Sequence, residues 1–129
     1  MNNNPKVESW IDLEVWKLSH DLVLRVYEIT KNFPADEKFR LVDQLCRAAA
    51  SIPTNIAEGK GRHGLKEYLH FLSIAKGSFE ETKYPLLLAK DLGYVSSEGF
   101  VQLTSGYDQV AKMLNGLTKS LRLRLPPRG

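Results

Sequence analysis

Residues 44–59 read QLCRAAASIPTNIAEG, and the pattern of this segment predicts the architecture of the whole chain. Its apolar residues recur at spacings of four, three and four positions, at Leu45, Ala49, Ile52 and Ile56. That spacing describes one face of an α-helix. The run Ala48–Ala50 keeps the middle of the segment thin, so we expect a neighbouring helix to approach it closely.

Two residues of the same segment concern how this helix ends and bends. Gly59 predicts its end, because glycine enters the left-handed region without steric cost. Pro53 removes one backbone donor and clashes with the carbonyl of Ala49. Either the helix kinks at Pro53, or one helix ends near Ala50 and a second begins with Ser51 as its cap. The apolar spacing continues through Pro53 without a phase break, which favours the kink.

The composition is that of an ordinary globular domain. The chain has 129 residues, 43% of them apolar and 26% charged, which suffices for a single hydrophobic core. Its longest uninterrupted apolar run, Leu86–Ala89, is far shorter than the roughly 20 residues of a membrane-spanning helix. The opening MNNNPKVESW lacks the apolar core of a signal peptide. We therefore expect a cytoplasmic protein with no membrane partner.

The net charge of +3 is unevenly distributed along the chain. Residues 1–94 carry 13 basic and 13 acidic side chains, which cancel. Residues 95–129 carry five basic side chains against Glu98 and Asp108, so the whole excess of 5 − 2 = +3 lies there. This asymmetry indicates an anionic partner. Cations that complement the dipole of a last helix explain it equally well.

The first two helices are predicted from apolar periodicity and its breaks. The first covers about residues 13–32 and ends at Phe33-Pro34, because the residue before a proline disfavours helical dihedral angles. The second covers about residues 37–58, with Asp36 as its cap.

The last two helices have equally clear boundaries. The third covers about residues 65–92, with a bend at Pro85 and a stop at Gly93. Within it, Gly77 and Ser78 are expected to leave room for close packing. The fourth begins after Ser96 or Ser97 and keeps a three-four alternation of apolar residues as far as residue 121.

Four helices of roughly 20 to 28 residues joined by short turns predict an all-α, antiparallel up-down-up-down four-helix bundle. We assign residues 11–123 to the bundle, residues 1–10 to a disordered N-terminal segment and residues 124–129 to a flexible basic tail. The apolar faces of the first and third helices are wider than one small bundle must bury. We therefore expect an oligomeric bundle, built from copies of this chain.

The sequence predicts neither an enzyme nor a metal or cofactor site. Di-iron bundles use two Glu-x-x-His pairs, and only Glu67 and His70 form one here. The three histidines are too scattered for a zinc site. No serine lies in a nucleophile elbow, and the single cysteine, Cys46, follows Leu45 on the apolar side of its helix. We interpret Cys46 as a small buried hydrophobic residue.

The carboxylates near the middle of the bundle predict a buried polar network. One of them is expected to pair with Arg47, and the neighbouring polar residues are expected to assist. The predicted members are Gln44, Arg47, Ser51, Asn55, Glu58 and Glu81. Such networks fix the register of helices at some cost in stability.

Two groups of basic residues are candidates for nucleic-acid binding. The first group surrounds the second turn, and the second group lies at the C-terminal end of the last helix and just beyond it: Lys60, Arg62 and Lys66, then Lys119, Arg122 and Arg124. In an antiparallel bundle the second and fourth helices both finish where the first begins. We therefore expect the two groups to share one end of the bundle, where phosphate contacts would be sensitive to salt.

Residues 44–59 resemble the bacterial four helix bundle family, whose members are encoded by intervening sequences in the large-subunit ribosomal RNA gene. The resemblance extends to residues 12–16, DLEVW, to Phe33-Pro34, to Phe71-Leu72 and to residues 75–81, AKGSFEE. It covers about residues 11–123 in the right order. Pro85 in the third helix departs from the family pattern.

This resemblance implies an up-down four-helix bundle that assembles as a ring-like homopentamer, without an established enzymatic activity. It also points to similar basic bundles, the accessory proteins of diversity-generating retroelements, which bind nucleic acid and a reverse transcriptase. A reverse-transcriptase-like protein is thus an implied partner. The leading interpretation is a non-enzymatic oligomer that binds RNA, or an RNA–protein complex, through the six basic residues. The alternative is a protein-interaction scaffold with no nucleic-acid role.

Overall fold

The computed structural model describes residues 13–127 and contains four α-helices. They are α1, Glu14–Thr30; α2, Asp43–Lys60; α3, Leu65–Asp91; and α4, Ser97–Arg122. Each helix packs on the next, and α1 also packs on α4, so the four surround one core. No strand occurs within residues 13–127. The predicted all-α four-helix bundle is confirmed, whereas the predicted disordered segment 1–10 lies outside the described residues.

The core is built by one apolar face from each helix. Its fully buried aliphatic side chains come from all four helices: Leu22 and Val26, Leu45, Ile52 and Ile56, Leu72 and Leu86, and Val110 and Leu114. Within each helix these residues are separated by three- and four-residue steps or by sums of such steps, which is why an amphipathic sequence closes into this arrangement. The apolar face predicted for residues 44–59 is confirmed, because Leu45, Ala49, Ile52 and Ile56 are all fully buried.

The chain enters α2 through one turn that is tighter than an α-helix and one turn that is wider, rather than through a capped helix start. A 3-10 turn, Ala35–Glu37, leads into a π-helical turn, Lys38–Val42, which continues directly into α2. The prediction that Asp36 caps this helix is wrong: Asp36 lies inside the 3-10 turn, and no side chain caps either turn. The Tyr94 hydroxyl donates to Glu37 Oε2 at 3.1 Å and so ties this segment to the turn after α3.

The helix α2 is continuous through Pro53, so the alternative of two separate helices is wrong. The predicted stop at Gly59 is also wrong. Gly59 is buried inside α2, and a Cβ placed there would lie 3.0 Å from both Phe71 Cβ and Tyr68 Cδ1. The glycine is needed because α3 approaches closely, and the helix ends instead at Lys60.

The helix α3 also continues through its proline, Pro85, and stops at Gly93 as predicted. Gly93 has a φ of 82°. Its amide donates to the Lys90 carbonyl at 2.9 Å, and the Tyr94 amide donates to the Ala89 carbonyl at 2.8 Å. These two bonds form a Schellman motif, which satisfies carbonyls at the helix end. The prediction that Gly77 and Ser78 pack closely is confirmed for Ser78, which is buried, and is wrong for Gly77, which is exposed.

The start of α4 settles which serine is the cap. The Ser96 hydroxyl accepts a hydrogen bond from the Gly99 amide at 3.0 Å. After the helix ends, the amides of Arg124 and Leu125 donate to the carbonyls of Leu121 and Arg122, so the chain makes one further turn. None of the helices described is long and apolar enough to cross a membrane. The cytoplasmic location stays a prediction.

Candidate nucleic-acid interface

The two basic groups meet around Tyr68, at the end of the bundle where α2 finishes and α3 begins. Lys60 Nζ lies 6.0 Å from the centroid of the Tyr68 ring. Arg124, from beyond the end of α4, acts on the same side chain: burial raises the pKa of Tyr68, and the positive charge of Arg124 lowers it. Residues more than sixty positions apart in sequence therefore bring positive charge to the same tyrosine. We call this region the basic end.

Five of the six predicted basic residues form no ion pair within residues 13–127: Lys60, Lys66, Lys119, Arg122 and Arg124. The exception is Arg62, whose Nη2 lies 3.2 Å from Glu58 Oε2. Its guanidinium also lies 5.0 Å from the centroid of the Phe71 ring. Both partners of that ion pair are about half exposed, so the pair is weak and can be exchanged for another anion. The basic end thus offers cations whose charge the chain itself hardly compensates.

The structure adds one cation that the sequence analysis missed. Lys119 and Arg122 line a groove between α3 and α4, together with Lys76 from the middle of α3. Lys76 is exposed and forms no ion pair with any described residue. The sequence signal that could have identified Lys76 is its position four residues after Leu72, which places Lys76 at the edge of the core-facing stripe of α3.

The predicted polar network exists only in part. The Ser78 hydroxyl donates to Ser51 Oγ at 2.7 Å, and Asn55 Nδ2 donates to the same atom at 3.0 Å. Ser51 and Asn55 were predicted members, whereas Ser78, the partner from α3, was not. The Thr82 hydroxyl extends the network by donating to the Ser78 carbonyl at 2.8 Å. This short chain of bonds joins α2 to α3 through neutral groups alone.

The predicted charged part of that network is wrong. Arg47 pairs with Asp43, one turn earlier, at 3.0 Å, and its side chain is 80% exposed. Glu58 pairs with Arg62 instead, and Glu81 is exposed. Gln44, Arg47 and Glu81 line an open groove between α2 and α3 rather than a buried site. A pair within one helical turn needs less ordering than a pair between helices, which explains the choice of partner.

The surroundings of Cys46 and the spacing of possible metal ligands bear on thiol reactivity and metal binding. Cys46 is partly rather than fully buried, with its Sγ 3.8 Å from Thr30 Oγ1. Burial raises the pKa of its thiol, the Thr30 hydroxyl lowers it, and the Asp43 charge raises it. Among residues 13–127, no three histidine, cysteine, aspartate or glutamate side chains lie close enough to hold a metal ion.

Comparison with known proteins identifies a family and a fold. The sequence profile of the 23S rRNA-intervening sequence protein family matches residues 11–116. The chain is also similar to a crystal structure from Bacteroides thetaiotaomicron, described as a protein of unknown function from the S23 ribosomal protein family. The two share 24% sequence identity with a TM-score of 0.75, over 81% of this chain and 98% of that one. No curated protein matches this chain.

Proposed function

This chain belongs to the 23S rRNA-intervening sequence protein family, and we propose that it is a non-enzymatic helical bundle that binds RNA through its basic end. The observation that carries this proposal is that Lys60 and Arg124, one from each basic group, both act on Tyr68. Phosphates are the anions that a dispersed set of lysine and arginine side chains fits, because each contact releases counterions from the nucleic acid. Phosphate contacts position an RNA without reading its bases, so we expect little sequence specificity.

We further propose that the protein acts as a homo-oligomer. Several large apolar side chains are exposed on the single chain, among them Phe39 at 84% and Tyr84 at 65%. Covering such surfaces is a common reason for self-association. An oligomer presents several basic ends to one RNA, and the second and later contacts are then made at a raised effective concentration. Assembly in this way increases the number of positive charges that can contact one RNA molecule.

The test is binding of a labelled structured RNA, measured by fluorescence anisotropy at several salt concentrations. The test variant replaces Lys60, Lys66 and Arg124 by Ala. The control replaces Arg25, Lys31 and Lys90 by Ala, which removes the same number of lysines and arginines from other parts of the surface. We expect affinity that falls steeply with salt, a loss of roughly tenfold or more in the test variant and little loss in the control.

Two outcomes would contradict the proposal. If the two variants lose affinity equally, the net charge rather than the basic end binds the RNA. If the wild-type protein binds no RNA even at low salt, the second candidate function is favoured, a protein-interaction scaffold. The exposed apolar side chains support that second candidate, because they suit a protein partner as well as a second copy.

A further inference from the structure

We propose that the groove between α3 and α4 holds a short single-stranded segment of the bound RNA. The inference rests on the proposed RNA-binding function and names the class of RNA and the place where it lies. The groove encloses about 540 Å³, within the range of roughly 300–1,000 Å³ that suits small molecules. It therefore has room for a nucleotide unit of a single strand, whereas a duplex is far too wide to enter.

The polar side chains along this groove are cations or neutral groups. They are Ser73 and Lys76 from α3 and Asn115, Thr118, Lys119 and Arg122 from α4. Three other grooves on the described surface each include at least one carboxylate, from Glu58, from Glu80 and Glu81, or from Asp108. No carboxylate lines the α3–α4 groove among the described residues. A lining with many donors and no negative charge matches the oxygens of a phosphodiester backbone.

The floor of the same groove is apolar. Leu72 and Leu114 are buried at its base, and Leu69 and Leu123 border it. Leu123 is 81% exposed, although it is a large aliphatic side chain. In a single strand the faces of the bases are free to pack on apolar side chains, whereas in a duplex they are stacked on one another. A cationic rim above an aliphatic floor therefore favours a single strand.

Two glycines are neighbours in sequence of residues that line the groove, although neither glycine is part of the lining itself. Gly77 follows Lys76 in α3, and Gly116 lies three residues before Lys119 in α4. A Cβ added at either position would meet nothing within 4 Å. In a helix interior glycine costs about 1 kcal/mol relative to alanine, and no close contact with residues 13–127 explains that cost at these two positions. Glycine is also the residue that lets a ligand approach a backbone closely, which a bound strand would use.

The first test compares a fluorescein-labelled 12-nucleotide oligouridine with a blunt duplex of equal length, and compares Lys76→Gln with Lys90→Gln. Lys76 is in the groove, and Lys90 is on the same helix near its far end. We expect the wild-type protein to prefer the single strand. Lys76→Gln should lose several-fold affinity and about 0.7 of the salt slope, the value of one single-strand phosphate contact. Lys90→Gln should stay within about twofold of wild type.

The outcomes separate this inference from the proposed function. A stronger affinity for the duplex, or an unchanged affinity in Lys76→Gln while the substitutions at the basic end still abolish binding, would overturn the groove assignment alone. Absence of binding to both RNAs and to the structured RNA would overturn both proposals. Circular dichroism checks that each variant keeps its helices.

The second test uses Gly77→Ala and Gly116→Ala. Because the added methyl groups meet only solvent in the free chain, both variants should melt at a higher temperature than wild type. If a strand lies against these helices, the same variants should bind the oligouridine several-fold more weakly. A lower oligomeric mass with unchanged RNA affinity would assign the groove to a second copy of the chain and overturn the proposal.

Discussion

At the scale of single residues, the buried side chain of Tyr107 carries a destabilising feature of the core. Its side chain is 3% exposed, and its ring packs against Phe79 with centroids 6.0 Å apart. Its hydroxyl is buried without a hydrogen-bond partner among the described residues. Such a group loses its bonds to water without replacement, which costs about 1–3 kcal/mol. Burial raises the pKa of Tyr107 for the same reason.

We predict that Tyr107→Phe stabilises the protein by about 1 kcal/mol, measured by urea unfolding. The matched control is Tyr94→Phe, which should destabilise rather than stabilise the protein because the Tyr94 hydroxyl donates to Glu37. The raised pKa of Tyr107 also determines how the stability of the protein changes with pH. Above about pH 10 an unfolded tyrosine ionises while the buried one stays protonated, so stability falls as pH rises. Tyr107→Phe should lose less stability there than wild type, and an equal loss would contradict this account.

A second prediction concerns the contact at Gly59. Gly59→Val should lower the free energy of unfolding by about 1–3 kcal/mol, because the new side chain would meet the Phe71 Cβ and the Tyr68 ring and carbonyl. The control is the same substitution at Gly77, where open space surrounds the Cβ. Gly77→Val should gain about a few tenths of a kcal/mol from helix propensity. Chemical unfolding compares the two, and similar effects in both would show that α2 and α3 can move apart cheaply.

At the scale of elements, the sequence predicted which segments are helical better than how they begin and end. The apolar faces of α2 and α4 followed from spacing alone, because burial repeats with the helical period. The stop at Gly93 also followed, since a positive φ favours glycine. Gly59 was misread because glycine serves both a helix end and a close helix contact, and only the position of α3 decides between them.

The two serines at the start of α4, Ser96 and Ser97, are predicted to differ in their contribution to stability. Ser96→Ala should destabilise by about 1 kcal/mol, because it removes the acceptor of the Gly99 amide at the start of the helix. Ser97→Ala should be nearly neutral, since Ser97 is the exposed first residue of α4. Thermal unfolding of the two single variants checks this. Equal effects would mean that water satisfies the first amides of α4 as well as Ser96 does.

At the scale of the whole molecule, the sequence indicated where the candidate site would form but not its full membership. An antiparallel bundle joined by short turns must bring the end of α2 and the end of α4 together, so the two basic groups could be predicted to share an end. Lys76 could not be found in this way, because it lies far from both groups in sequence and joins Lys119 only across the α3–α4 groove. The partner of Arg47 was missed for a different reason: Asp43 lies one helical turn earlier, and this pair within α2 forms in place of the predicted pair with a carboxylate near the middle of the bundle.

The two most exposed of the large apolar side chains, Phe39 and Leu123, lie before α2 and after α4, and we expect them to be covered by different partners. Phe39 is 84% exposed in the π-helical turn before α2, where Lys38 Nζ lies 5.4 Å from the centroid of its ring. Leu123 is 81% exposed beside the groove proposed for RNA. A π-helical turn departs from the regular hydrogen-bond pattern and is frequently found at functional sites. We therefore assign Phe39 to the contact between copies and Leu123 to the RNA.

The final prediction compares Phe39→Ser with Leu123→Ser by light scattering after size exclusion. We expect the wild-type protein to have the mass of more than one chain, because self-association commonly covers large exposed apolar side chains such as Phe39. Phe39→Ser should lower that mass without loss of helical circular dichroism, since Phe39 contributes little to the core of the single chain. Leu123→Ser should keep the mass and bind single-stranded RNA more weakly. If Leu123→Ser lowers the mass and Phe39→Ser does not, the two surfaces have been assigned to the wrong partners, and the α3–α4 groove is the contact between copies.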